Sequence, residues 1–158
     1  MIKSEALLAL TYYDYSPAEM SLEIEYEIKL LNDTHISIAY SGMSYVNGAA
    51  HPNHLFFTTN IDINSGKKLN LSDFTAIEDE FTEKLKTAAK NQLPLELYDS
   101  FLNYDDVKLL KYLRNSDNLH LGVENQYDTF SYLTEKNIGV SLPVGHAMGG
   151  YIIIEVDH

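Results

Sequence analysis

The chain has no cysteine and no tryptophan, only four prolines, and 11 Lys and Arg against 23 Asp and Glu among its 158 residues. Without cysteine there is no disulfide framework, no thiolate nucleophile and no cysteine zinc site. The shortage of basic side chains leaves a formal net charge of −12. Affinity for a phosphate backbone comes mainly from Lys and Arg, so this balance argues against nucleic acid as a partner. No apolar run approaches the roughly 18 residues that a membrane-spanning helix needs, so none is expected. The opening Met1–Leu10 is too short and wrongly flanked to read as a signal peptide. Phosphate loops, nucleophile elbows and His-Glu-x-x-His motifs are also missing. No catalytic residue, metal or cofactor is therefore assigned.

What is present is an ordinary globular balance, 45% hydrophobic and 22% charged, able to hold its own core. The acidic surplus suits a solubilised surface or electrostatic steering toward a basic partner. Leu22, Ile24, Tyr26, Ile28 and Leu30 alternate with Glu23, Glu25, Glu27 and Lys29, the period of a half-buried strand with one acidic face. Asn32-Asp33 turns the chain into a second strand carrying Ile36, Ile38 and Tyr40. After Gly42 the apolar phase moves to Met43 and Tyr45, which predicts a β-bulge there. A third strand over 55–63 and a turn at Asn64-Ser65-Gly66-Lys67 lead into a short strand, Lys68–Leu71.

The period then switches. Phe74, Ile77, Phe81, Leu85 and Ala88 predict a helix over 74–92, with Thr75 and Glu78 as a capping box. Pro94 opens a second helix, 95–114, through Leu95, Tyr98, Phe101, Leu110 and Leu113. Strands return at Phe130–Leu133, at Ile138, Val140 and Leu142, and at Ile152, Ile154 and Val156. The predicted class is α+β: a mostly antiparallel sheet with two to three helices on one face.

Two segments break the regular patterning: Val46–His54, between the second and third strands, and Pro143–Tyr151, before the last. They supply the candidate binding residues His51, Pro52, Asn53, His54, His146, Gly149 and Tyr151. One reading gathers His51, His54 and His146 in a shared cleft as metal ligands or a general base, roles that suit an imidazole titrating near 6.5. The other is two wide loops shaped by Gly and Pro. The acids Asp105-Asp106 and Glu78-Asp79-Glu80 read as helix ends and solvated faces rather than as general acid–base pairs. Tyr12-Tyr13-Asp14-Tyr15 is either a recognition patch for a sugar or protein surface, or simply strand-forming tyrosine.

The run Gly48-Ala49-Ala50-His51-Pro52-Asn53, followed by Asn60-Ile61-Asp62-Ile63-Asn64-Ser65-Gly66-Lys67-Lys68-Leu69, resembles a bacterial extracytoplasmic family. Phe130-Ser131-Tyr132-Leu133-Thr134 and Ile138–Gly149 fit that family's closing motif. The likeness is to the domain pair of RsiV-type anti-sigma factor ectodomains and the non-catalytic N-terminal region of the peptidoglycan deacetylase PdaC. It implies two halves, 1–71 (PdaC-type, shortened, its opening strand and helix reduced or missing) and 72–158 (RsiV-type), forming one compact unit. It further implies a place outside the membrane and, for RsiV-type members, lysozyme as a ligand. The sigma-binding segment and membrane helix of a full anti-sigma factor are not found in this sequence. The expectation is a non-catalytic binding or sensor domain of the cell envelope, with a basic protein such as lysozyme or cell-wall fragments as partner. The alternatives are an accessory module of a peptidoglycan-modifying enzyme and a histidine-based hydrolase.

Overall fold

The computed structural model describes residues 2–12, 16, 18–119 and 128–158. In chain order these form α1 (Ile2–Tyr12), β1 (Met20–Leu31), β2 (His35–Val46), β3 (Asn53–Asp62), β4 (Lys68–Leu69), α2 (Leu71–Phe74), α3 (Asp79–Gln92), α4 (Leu95–Phe101), α5 (Asp106–Arg114), β5 (Phe130–Leu133), β6 (Asn137–Pro143), a 3-10 turn (His146–Met148) and β7 (Tyr151–Asp157). The strands divide into a four-stranded sheet, β1-β2-β3-β4, and a three-stranded sheet, β5-β6-β7. Every pairing is antiparallel. The α+β class is as expected, with more helices than the two or three predicted.

Helix α1 lies outside the elements predicted from the pattern. Its Ala- and Leu-rich run has high helix propensity but little amphipathic period, so the pattern gave no signal. Ala6 packs into the cluster formed by Ile38, Tyr40 and Phe57, and Glu5 Oε2 pairs with Lys68 Nζ at 2.8 Å. Of the tyrosine cluster, Tyr12 closes α1, while 13–15 lie outside the described residues.

The predicted bulge at Gly42 is also corrected. Register runs unbroken through Gly42 on both sides, opposite Ile24 and Leu55, and the shift falls in β1 between Ile28 and Leu30. Met43 and Tyr45 carry the apolar phase on an exposed face of β2, while Ser44 between them is buried. Gly42 answers a different need: a Cβ there would stand 2.0 Å from the Glu23 carbonyl oxygen.

The two predicted helices are each divided. Asp73 Oδ2 accepts from the Asn70 N–H at 2.9 Å, so the box that starts this region is Asn70–Asp73 and Thr75 ends the single turn of α2. Asp105 Oδ1 accepts from the Lys108 N–H at 2.7 Å and restarts the chain as α5. Asp105-Asp106 and Glu78-Asp79-Glu80 sit at helix starts, as expected.

Val140, Leu142, Ile152 and Ile154, alternating along β6 and β7, are buried with Phe81, Leu85, Ala89, Leu109 and Leu113 of α3 and α5. On the other face of that sheet, Tyr132 and Tyr151 meet Phe56 of β3 at ring distances of 6.4 and 5.0 Å. Gly139 gives the Tyr132 ring its room, since a Cβ there would lie 2.1 Å from Cζ. The ring's hydroxyl donates to Glu155 Oε1 at 2.6 Å.

Where the sheets join, the contact is polar. Asp117, with only 2% of its surface exposed, accepts on Oδ1 from Ser131 N (2.6 Å) and Thr58 Oγ1 (3.3 Å). Its Oδ2 accepts from Leu71 N (2.8 Å), Ser131 Oγ (2.7 Å) and Ser116 Oγ (3.2 Å). Burial pushes this carboxyl above its ordinary value, and the donors from Ser131, Leu71 and Ser116 oppose the rise. Beside it, Ser37 Oγ donates to Asn60 Oδ1 (2.6 Å), Asn60 Nδ2 donates to Ser131 O (2.8 Å), and Leu133 N donates to Ser37 Oγ (2.9 Å).

Two stability measurements follow from this packing. Phe81→Ala is expected to cost about 3–5 kcal/mol in denaturant unfolding, the loss for a ring removed from a closed core. Asp117→Asn turns an amide N–H toward backbone N–H groups that cannot accept it, and is expected to cost about 3 kcal/mol. Thr58→Val, which removes the longest of the five bonds, should cost less than about 1 kcal/mol in the same assay.

Candidate functional site: the cavity between two loops

The first loop leaves β2 at Val46 and turns through Asn47-Gly48, where Gly48 takes a φ of +87°. The Ala49 N–H donates to Val46 O at 2.9 Å, and Tyr45 Oη donates to Ala49 O at 3.0 Å. These bonds return the chain to β3, where Asn53 pairs with Ser44 and His54 with Met43.

The second loop joins β6 to β7. Val144 N–H donates to Gly150 O at 3.0 Å, and Met148 N–H donates to Gly145 O at 2.8 Å, closing the loop on itself. Gly149 and Gly150 hold φ values of +93° and +82°, in the left-handed region that favours glycine. Tyr104 Oη donates to Pro143 O and ties the loop to the helical layer. Burial pushes the Tyr104 phenol well above the ordinary tyrosine value, so it stays a donor.

The two loops meet. A Cβ on Gly150 would lie 3.3 Å from His54 O and 3.4 Å from His54 Cβ, so glycine permits the close approach. Between them lies a cavity of about 310 Å³ lined by Asn53, His54, Leu55, Phe56, Asp128, Pro143, Val144, His146, Gly150 and Tyr151. Its floor is the Phe56–Tyr151 ring pair, and burial pushes the Tyr151 phenol upward. The imidazoles of His54 and His146 are exposed at its walls.

Of the residues selected from sequence, Asn53, His54, His146 and Tyr151 line this cavity, whereas His51, Pro52 and Gly149 do not. His51 is exposed on the loop ahead of β3, and Gly149 sets the backbone of the second loop. This cavity thus takes two of the three histidines, His54 and His146, and not His51. Among the described residues, no three His, Asp or Glu side chains gather as a metal site would require. Leu55, Phe56, Asp128, Pro143, Val144 and Gly150 complete the lining and were not selected. Phe56 reads as one more strand residue, and Asp128, at a φ of +46°, falls in a stretch with no periodic pattern. The arrangement offers an aromatic floor, two imidazoles and one carboxylate, a surface suited to contact through ring faces and hydrogen bonds.

This two-sheet α+β architecture is the fold of DUF3298 family proteins. A DUF3298 family protein from Pseudomonas aeruginosa superposes with a TM-score of 0.56 over 96% of this chain at 16% sequence identity. A member from Bacteroides fragilis superposes with a TM-score of 0.57 over 99% of the chain at 18% identity. The chain spans 65% and 59% of those two structures, respectively. No family model matches the sequence, and no curated protein matches it.

The loop contact is open to direct measurement. Gly150→Ala should lose about 1–2 kcal/mol of stability, from the left-handed backbone and the pressure on His54. Gly145→Ala, at a φ of −58° with open space around its Cβ, should change stability by less than about 0.5 kcal/mol.

Proposed function

We propose that this chain is a non-catalytic binding domain of the bacterial cell envelope, acting outside the membrane and recognising a basic protein such as lysozyme at the two-loop cavity. One observation carries the reading. Asn53 and His54 from one segment and His146 and Tyr151 from another far along the chain, both selected as departures from the regular patterning, line a single cavity. The fold likeness to DUF3298 proteins, the family of RsiV- and PdaC-like domains, supports it. So does the net charge of −12, which draws a cationic partner toward the domain and raises its on-rate. Tyr151 and Phe56 give rigid contact area, and the imidazoles and Asp128 give polar contacts at its margin. Among the described residues no helix is long and apolar enough to cross a membrane.

Calorimetric titration with a C-type lysozyme tests the proposal. Binding is expected at low and near-physiological salt, with a slower on-rate as salt rises. Tyr151→Ala and His146→Ala should each weaken it by about tenfold, the effect of removing a central contact. Absence of heat at both salts overturns lysozyme as the ligand. Heat with peptidoglycan fragments instead would move the ligand to the cell wall.

A further inference from the structure

We propose that the outer edge of β1 is a docking edge for an extended peptide segment in which basic and apolar residues alternate, added beside β1 as a further strand. The inference rests on the four-stranded sheet and is independent of the loop cavity.

Of the other sheet edges, β5 and β7 carry side-chain bonds and β4 is short. On β5, the N–H groups of Ser131 and Leu133 and the carbonyl of Ser131 bond to Asp117, Ser37 and Asn60. On β7, the Gln92 side chain donates to Glu155 O at 2.6 Å and accepts from Glu155 N at 2.9 Å, as a neighbouring strand would. β4 has two residues, whereas β1 has twelve. Among the described residues, no hydrogen bond reaches the outer edge of β1 between Leu22 and Ile28.

The direction of those free groups follows from the ladder. Asn47 N–H donates to Glu19 O at 2.8 Å, and bonded and non-bonded pairs alternate along an antiparallel ladder. Leu22, Ile24, Tyr26 and Ile28 therefore turn their N–H and C=O groups outward. Edges are commonly blunted by lysine, proline or a bulge. Here the register shift and Lys29 come only after Ile28, so 22–28 is left regular.

The side chains define the occupant. Tyr26 and Ile28 are 71% and 48% exposed on one face, and Glu23, Glu25 and Glu27 are exposed on the other. A strand placed alongside would set apolar residues against the first row and basic residues against the second, the favourable cross-strand pairings. A second copy of this chain fits poorly. Antiparallel two-fold pairing that brings the apolar rows together also sets the three glutamates against their own copies, and like charges directly opposite repel. Each copy also carries −12.

The probe is a synthetic ten-residue peptide alternating lysine and valine, titrated into the full chain and followed by amide hydrogen exchange. Binding should slow exchange at Leu22, Ile24, Tyr26 and Ile28 by roughly tenfold or more, while a glutamate–valine peptide leaves these amides unchanged. Ile24→Pro removes one outward donor without a ladder bond and should weaken binding by about tenfold. The triple variant Glu23→Gln, Glu25→Gln, Glu27→Gln, which keeps the strand intact if Ile24→Pro does not fold, should weaken it at least as much. No binding, or protection confined to amides elsewhere, overturns the proposal. So does concentration-dependent protection of the same four amides without peptide, which would make a second copy the occupant.

Discussion

The buried carboxylate of Asp117 is the constraint on which the arrangement of the two sheets depends. A short edge strand placed across the face of another sheet must find partners for its outward backbone groups, because water cannot reach them there. Asp117 supplies one acceptor to the Ser131 N–H and a second to Leu71, where the helical region begins. Ser37 and Asn60 complete the edge. The four-stranded sheet thus holds its neighbour through side chains rather than by extending its ladder, which keeps the strands in two sheets. The linkage demands accuracy, since losing the backbone donors would leave a buried carboxylate short of compensation.

Around this polar joint the apolar packing is conventional. One face of β6 and β7 is covered by α3 and α5, and the other carries the tyrosines that reach Phe56. That second contact also makes the floor of the loop cavity. The candidate site is consequently built on a rigid base, with only its walls contributed by loops, and those loops are closed internally by their own backbone bonds. Such a base favours recognition with little reorganisation on binding.

Much of the fold was legible because it rests on period. Leu22 through Ile28, and Ile138 through Leu142, alternate clearly, and Phe81, Leu85 and Leu113 repeat as a helix face. The failures have local causes. The run after Ile2 is apolar on too many sides for its helix to announce a buried face. The phase change after Gly42 came from apolar residues placed on an exposed face, with Ser44 buried between them, rather than from an inserted residue. Asp117 was invisible because Ser116-Asp117-Asn118 looks like any polar turn, and its importance arises from donors distant in sequence. In the site, the glycines and histidines stood out as departures from pattern. Their meeting at Gly150 and His54 was not readable, because no spacing rule links one loop to the other.

The side-chain amide of Gln92 imitates a peptide unit, offering Glu155 one donor and one acceptor at the end of α3. Docking the last turn of that helix and terminating growth of the three-stranded sheet are therefore a single event. With Glu155 bonded in this way another strand cannot pair there unless the helix end moves away, so the terminus of α3 guards this stretch of the sheet edge against edge-to-edge pairing.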